Sequence, residues 1–149
     1  MTSSAGQDAG ATTSWTQQRA EVIRAQERAL ASARRIEHEK ATALIREAII
    51  RFEEAGIPPI PLRAKPFKGG GTIRTALTGW YLKTDRTVAV DTEARYYVMR
   101  VDGGLRSRLL GATPDPVDAP LVVGRGARDG ESFDLPDLLR MRLDDPVRG

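Results

Sequence analysis

The chain contains no cysteine and only one histidine. Without thiols it can form no disulfide, no thiolate nucleophile and no thiolate metal site, so nothing in it requires an oxidising compartment. The histidine, His38, lies between Glu37 and Glu39, which is typical of a solvated helix surface. Catalysis by a histidine-containing triad and metal binding by a histidine cluster are therefore excluded.

Long apolar runs are also missing. No stretch approaches the length that spans a bilayer, and residues 1–14 lack the apolar core of a signal peptide. These absences predict a cytoplasmic protein without a membrane partner. No motif predicts a cofactor or a metal site, since the carboxylates of Asp129, Glu131 and Asp134 do not have the spacing of an EF-hand loop.

Glycine and proline are absent from residues 14–55, a segment dense in Ala, Glu, Arg and Gln. This composition predicts one long helix over residues 14–56. Ser14 and Gln17 have the spacing of a capping box at its start. A glycine followed closely by two prolines predicts its end: Gly56, Pro58 and Pro59. Residues 1–13 have almost nothing to bury and are predicted to be a disordered tail.

The two halves of this helix differ in apolar content. The second half carries a wide apolar stripe that predicts packing on a sheet: Ala41, Leu44, Ile45, Ala48, Ile49, Phe52 and Ala55. The first half has enough large apolar residues for a loose pairing with another helix, but not for a core: Trp15, Val22, Ile23, Leu30 and Ile36.

The predicted helix is long for a domain of this size. At about 1.5 Å per residue it would extend roughly 60 Å, against a radius of gyration near ~15 Å for the compact domain. About a third of it is therefore expected to overhang the folded body or to break. The overhanging part is the predicted interface for a second copy or for another protein, and a charged helix that frays in solution is the alternative.

Most of the β-branched and aromatic residues lie within residues 72–101. Turn-forming sequences at 83–86 and 91–94 divide this segment into three runs, which predicts an antiparallel β-meander. In the first run the apolar residues change parity after Leu77. A β-bulge at Gly79 is predicted to restore the register.

The segments around the meander are shorter. Residues 57–71, rich in proline and then in glycine, predict an extended connector from helix to sheet. Residues 105–110 fit a strand or a helix, and residues 121–123 predict a last buried strand. Asp134 is predicted to cap a short helix, with an apolar face of Leu135, Leu138, Leu139 and Met141. The sequence thus predicts an α+β fold, in which the long N-terminal helix packs by its C-terminal half on a small antiparallel body formed by residues 72–143.

The net charge of +3 is unevenly distributed. Residues 57–110 contain ten Lys/Arg and four Asp/Glu, a net charge of +6. Such a field attracts anions, although a small domain also gains solubility from it. The candidate anion-binding or nucleic-acid-binding residues are Lys65, Lys68, Arg74, Lys83 and Arg86, with Arg125 and Arg128 in the Gly-rich loop 124–132. That loop is read either as an anion site or as a plain connector.

Four segments carry a resemblance to known proteins: GIPPIPLRAKPF, GWYL, DTEARYYVMRV and LVVGRGARDGESFDL. Over roughly residues 40–143 the chain resembles small conserved actinobacterial proteins that have no assigned function. The resemblance implies a bacterial, cytoplasmic protein from a GC-rich genome. It implies no catalytic or binding residue.

Three functions fit the sequence. The first is a non-enzymatic interaction or scaffold protein that associates through the N-terminal helix. The second is a nucleic-acid-binding protein that uses the basic residues of segment 57–110. The third is a small carboxylate-based enzyme, for which the turns of the meander supply Asp85, Asp91, Glu93 and Asp102, although turns also favour aspartate for structural reasons.

Overall fold

The segment free of glycine and proline forms a helix that begins earlier than predicted. The computed structural model describes the backbone of residues 4–124 and 131–149, and the side chains of those ranges from residue 12 onward. Helix α1 spans Ser4–Glu54. The capping box at Ser14 and Gln17 and the predicted tail boundary at residue 13 are therefore wrong, because these positions lie inside the helix. Residues up to Ile36 form one unit and Glu37–Gly149 a second.

The C-terminal end of α1 follows the prediction. Gly56 adopts a positive φ of 74°, a conformation that glycine reaches without the steric penalty of a Cβ atom. The Ile57 amide then donates to the Phe52 carbonyl oxygen at 2.8 Å. This bond satisfies one of the carbonyls left over at the helix end, and the prolines that follow prevent further helix.

Five strands form one mostly antiparallel sheet in the order β4-β3-β2-β1-β5. Their bounds are β1 Ile60–Pro66, β2 Ile73–Tyr81, β3 Val88–Asp91, β4 Tyr96–Val98 and β5 Arg100–Val101. The meander β2-β3-β4 was predicted, but β1 lies within the segment 57–71 that the sequence assigned to a connector. The connector prediction is therefore wrong over β1. The prolines of this segment do not prevent a strand, since prolines are tolerated at the ends of strands and beside irregular pairings.

The sheet closes on itself at Met99. Strands β4 and β5 are separated only by this residue, and they are the two outer strands of the sheet. The Met99 amide donates to the Thr87 carbonyl oxygen at 2.7 Å, and its own carbonyl oxygen accepts from the Lys65 amide at 2.8 Å. One residue therefore joins the β3 side of the sheet to the β1 side, and β5 continues the pairing in parallel with β1.

Closure gives the sheet an inner and an outer face, each with its own cluster. The inner cluster consists of Leu62, Ala64, Tyr81, Ala89, Tyr97 and Met99. The outer cluster joins the sheet to the second half of α1 and to the C-terminal helix, and its large members include Ile45, Phe52, Trp80, Val90, Leu135 and Leu138. The two clusters form a double core, in which both parities of the strands are used.

The double core explains why the predicted bulge at Gly79 is wrong. Leu77 packs against the inner cluster and Trp80 belongs to the outer one, so the change of parity requires no extra residue. Gly79 stays in register with Ile60 and Asp91. Its role is close approach, because a Cβ atom there would lie 1.9 Å from the Val90 carbonyl oxygen.

The real irregularity lies between Pro61 and Arg63 of β1. The Tyr81 hydroxyl accepts a hydrogen bond from the Arg63 amide at 2.6 Å and donates to the Arg63 carbonyl oxygen at 3.1 Å. The Thr75 hydroxyl donates to the Leu62 carbonyl oxygen at 2.6 Å. These side chains replace the ladder hydrogen bonds that the register shift removes.

Short elements complete the second unit. Helix α2 spans Leu105–Leu110, and strands β6 Val122–Val123 and β7 Phe133–Asp134 form a two-stranded sheet. Helix α3 spans Leu135–Asp144, with Asp134 in the N-cap position but without a side-chain capping bond. Its buried face carries Arg142 in addition to three leucines, and the predicted face residue Met141 is exposed instead.

Candidate interaction surface

The five apolar residues predicted for helix pairing are all exposed on α1. Their exposed fractions range from 48% at Ile36 to 59% at Leu30. Every residue from 12 to 36 is exposed except the half-buried Ala20. We call the five residues the helix stripe: Trp15, Val22, Ile23, Leu30 and Ile36.

The helix stripe lies on one side of α1. At 100° per residue the five side chains fall within an arc of about 140°. Between residues 15 and 36 the other residues of this arc are small or uncharged, with the exception of Arg19. The Arg19 guanidinium carbon lies 5.0 Å from the centroid of the Trp15 ring. The one charged residue of this arc therefore packs on the Trp15 ring through a cation–π contact.

The predicted anion-binding residues do not form one surface. Lys83 is only 7% exposed, and its ammonium nitrogen lies 3.5 Å from the Asp85 carboxylate. Its burial and its ion pair argue against the predicted role in nucleic-acid binding, because the ammonium group is turned away from solvent. Arg86 donates to the Arg148 carbonyl oxygen and covers the Tyr81 ring. Arg125 and Arg128 lie outside the described residues.

Three of the predicted basic residues belong to neighbouring parts of the sheet. Arg74 is exposed and donates to the Leu109 carbonyl oxygen at 2.9 Å. Lys68 is exposed in the loop after β1, and Lys65 is half-buried at the end of that strand. Lys68 and Arg74 lie near α2, which brings Arg106 and Arg108 to the same region, whereas the charge of Lys65 acts on Asp85.

Asp91 is the most heavily bonded carboxylate among the described residues. It is 4% exposed. Its Oδ1 accepts from the Glu93 and Arg95 amides, both at 2.9 Å, and its Oδ2 accepts from Arg95 Nε at 2.7 Å and from the Tyr97 hydroxyl at 2.9 Å. Burial raises the pKa of Asp91, but the bonds from Arg95, Tyr97 and Glu93 together outweigh burial and lower it.

A carboxylate held in this way has no free lone pair to serve as a general base. Burial and the bond to Asp91 raise the pKa of Tyr97, so its proton stays on the hydroxyl. Asp85 is likewise used locally, because its Oδ1 accepts from the amide and hydroxyl of Thr87. Both aspartates therefore act as turn-closing groups, which favours the structural interpretation of the turn carboxylates over the catalytic one.

His38 is not the solvated surface residue that the sequence predicted. Its Nδ1 accepts a hydrogen bond from the Ala119 amide at 2.9 Å and lies 4.0 Å from the Asp118 carboxylate. This side chain thus ties α1 to the loop that precedes β6. The contact spans 81 positions along the chain, and no local pattern indicates it.

A cleft of about 280 Å³ opens beside His38. Its charged lining consists of two arginines and two carboxylates: Arg46, Arg95, Glu93 and Asp118. Arg95 is already paired with Asp91 and Glu93. The two other charged residues, Arg46 and Asp118, have opposite charges. The cleft therefore has no net charge that would select an ionic ligand.

Comparison of the chain with protein-family models, with curated proteins and with solved structures finds no match. Among the described residues, no cluster of three or more His, Cys, Asp or Glu could hold a metal ion. No helix within the described ranges combines the length and apolar content that crossing a bilayer takes. The fold defines the chain as an α+β protein with a long N-terminal helix. The resemblance to actinobacterial proteins stays a prediction.

Proposed function

We propose that this chain is a non-enzymatic interaction protein that associates with a second copy of itself through the helix stripe. The observation that carries the proposal is the stripe itself, five large apolar side chains exposed on one side of a single helix. Scattered apolar residues are normal on a protein surface, but a one-sided arrangement along more than five helical turns is typical of a helix that pairs.

The energetics of residues 12–36 support pairing. None of them is buried, so this stretch receives no stabilisation from a core. Most helical stability in proteins comes from the packing of an apolar face. A second helix against the stripe would supply that packing, and the same stripe on both copies makes the contact self-complementary.

The affinity is expected to be modest. Each stripe residue keeps about half of its surface exposed, and burying the remainder is worth roughly 1 kcal/mol per side chain. Two copies contribute ten such side chains, or about 10 kcal/mol, against an association cost of roughly 4–15 kcal/mol. At the low end of that cost about −6 kcal/mol remains, so we expect a dissociation constant of roughly tens of micromolar, a reversible dimer rather than an obligate one.

Sedimentation velocity across a range of protein concentrations tests the proposal. In a self-complementary dimer both copies carry the Leu30→Ser substitution, so one apolar side chain is lost from each side of the interface. The loss is about 2 kcal/mol, and the dissociation constant rises roughly 30-fold.

Ile50→Ser is the matched control. Ile50 is 55% exposed on the same helix but lies off the arc of the stripe, so its substitution should leave the dissociation constant unchanged. A protein that stays monomeric at concentrations of hundreds of micromolar, or that dimerises equally well with Leu30→Ser, would exclude this function.

A further inference from the structure

Helix α2 presents its apolar side chains outward. None of its six residues is buried. Ser107 is half-buried, so it marks the side that faces the sheet. Leu105 and Leu109, four positions apart, lie together on the opposite side. A short helix normally packs its leucines inward, and the reversal in α2 therefore exposes a ridge.

Two further exposed apolar residues, Phe67 and Leu110, lie close to this ridge. A Cβ atom on Gly103 would lie 2.5 Å from Pro66 Cβ, and a Cβ atom on Gly69 would lie 3.1 Å from Arg108 Nη2. Pro66 and Gly69, which lie on either side of Phe67 in the chain, are therefore close to Gly103 and Arg108, and Phe67 between them is exposed. The exposed fractions of these apolar residues run from 64% at Leu109 to 74% at Leu105. We call the exposed apolar residues of α2 and of the adjoining loop the apolar ridge: Phe67, Leu105, Leu109 and Leu110. Leu105 and Leu109 share one side of the helix, and Leu110 lies about 120° from the line through them.

Positive charge surrounds the apolar ridge. On a helix of 3.6 residues per turn, Arg106 and Arg108 lie about 80° to either side of the line through Leu105 and Leu109. Residues 63–74 and 100–110 together contain seven Lys/Arg and a single acidic residue, Asp102. The net charge of these two segments is +6.

Four basic side chains of this region have no carboxylate within ion-pair distance in the described part of the chain, although Asp102 lines a cleft together with Arg106. Among the described residues, no ion pair within 4.0 Å involves Lys68, Arg74, Arg106 or Arg108. Arg74 and Arg108 instead donate to the carbonyl oxygens of Leu109 and Gly103. Such bonds orient the guanidinium groups and leave their positive charge available to a partner.

We propose that the apolar ridge and its basic rim form a peripheral docking site for an anionic lipid bilayer surface. The basic rim matches negatively charged headgroups, and the ridge matches the acyl boundary just below them. Nucleic acid would use the charge but has no place for three exposed leucines, since its bases stack on aromatic rings. A protein partner would need a groove that fits a convex ridge, whereas a fluid bilayer adapts to one.

The sequence predicted no membrane partner, because it offered no spanning segment. Docking at the surface requires none, and the outward leucines emerge only from the folded structure. This site lies wholly in the second unit, so the inference does not depend on self-association through the helix stripe.

Co-sedimentation of the full chain with vesicles tests the site. We expect binding to vesicles in which about a third of the lipid is phosphatidylglycerol, with at least tenfold weaker binding to phosphatidylcholine alone. The double variant Leu105→Ser/Leu109→Ser should reduce binding to anionic vesicles by at least tenfold. Arg106→Gln should reduce it about fivefold, as expected for one basic side chain near an anionic surface.

Val98→Ser is the matched control, because Val98 is an exposed apolar residue of the same unit outside the ridge. It should bind vesicles like the unchanged chain. Thermal unfolding followed by circular dichroism checks that the serine variants stay folded, which is expected since the replaced leucines contact no core.

The depth of docking has its own readout. Leu109→Trp in a Trp15→Phe background should show a blue-shifted emission on anionic vesicles only, against the constant signal of the buried Trp80. Three results would overturn the proposal: no vesicle binding, binding that ignores lipid charge, or binding that survives loss of both leucines. Salt-sensitive binding to duplex DNA that the leucine variant retains would identify a nucleic-acid surface instead.

Discussion

Replacing Asp91 by asparagine should destabilise the second unit by about 3 kcal/mol at neutral pH. The substitution keeps an oxygen for the Glu93 and Arg95 amides but places an NH₂ group where Oδ2 now accepts from Arg95 Nε and the Tyr97 hydroxyl. The hydroxyl can turn to accept, whereas a guanidinium has no acceptor to offer. Hydrogen bonds to a charged group contribute about 1.5–3 kcal/mol each, more than their neutral counterparts.

The contribution of Asp91 to stability depends on pH. The pKa of Asp91 is lowered in the folded protein, from an ordinary value of 3.8. The carboxylate therefore stabilises the fold fully above pH 3.8, and this contribution is lost as the pH falls through the lower, folded-state pKa. The difference in stability between the unchanged chain and the Asp91→Asn variant should shrink in the same acidic range.

Urea unfolding followed by the fluorescence of Trp80, which lies in the outer cluster, measures the effect. A loss of about 3 kcal/mol corresponds to a midpoint shift of roughly 1–3 M urea. Glu93→Gln is the matched control, since the Glu93 side chain is exposed and contacts Arg95 only at the surface, where ion pairs contribute little. A loss below about 1 kcal/mol in Asp91→Asn, or a loss that is the same at about pH 7 and about pH 3, would refute the assignment of Asp91 as the bonded anion of this turn.

Two further substitutions test the fold. Gly79→Ala should cost more than about 3 kcal/mol or prevent folding, because its Cβ atom would meet the Val90 carbonyl oxygen. Gly70→Ala has nothing within 4 Å of its Cβ atom and should be neutral in the same urea unfolding assay. His38→Ala should lower the free energy of unfolding by about 1–2 kcal/mol, because the Ala119 amide loses its acceptor. His38→Asn should retain most of that stability by placing Oδ1 where Nδ1 accepts now, and equal losses in both variants would refute the bond.

Local patterns were sufficient to predict the elements that depend on local chemistry. The helix end at Gly56, the meander and the apolar face of the second half of α1 are confirmed, since propensity, turn residues and periodicity act over a few positions. The exposure of the helix stripe also follows from its low apolar density. The start of α1 was misjudged because a capping pattern at Ser14 and the glycines and threonines before it indicate a helix start there, yet the helix begins at Ser4.

Features that depend on distant partners could not be predicted. Closure at Met99 requires Lys65 and Thr87 to approach the same residue, and neither neighbour is recognisable in a strand pattern. The same holds for His38, whose partner Ala119 lies far along the chain. The apolar ridge was missed because residues 105–110 are too short to have a clear period, and only the fold reveals which side of them faces outward.

The closure of the sheet at Met99 also affects how this protein behaves at high concentration. Open sheets end in strands whose unpaired amides and carbonyls can recruit a further chain, which is a common route into fibrils. In the five-stranded sheet the would-be terminal strands are instead consecutive parts of one backbone stretch, each already paired with a neighbour. The ring thereby removes the open outer edges of the five-stranded sheet, at which a further chain could otherwise add as a strand.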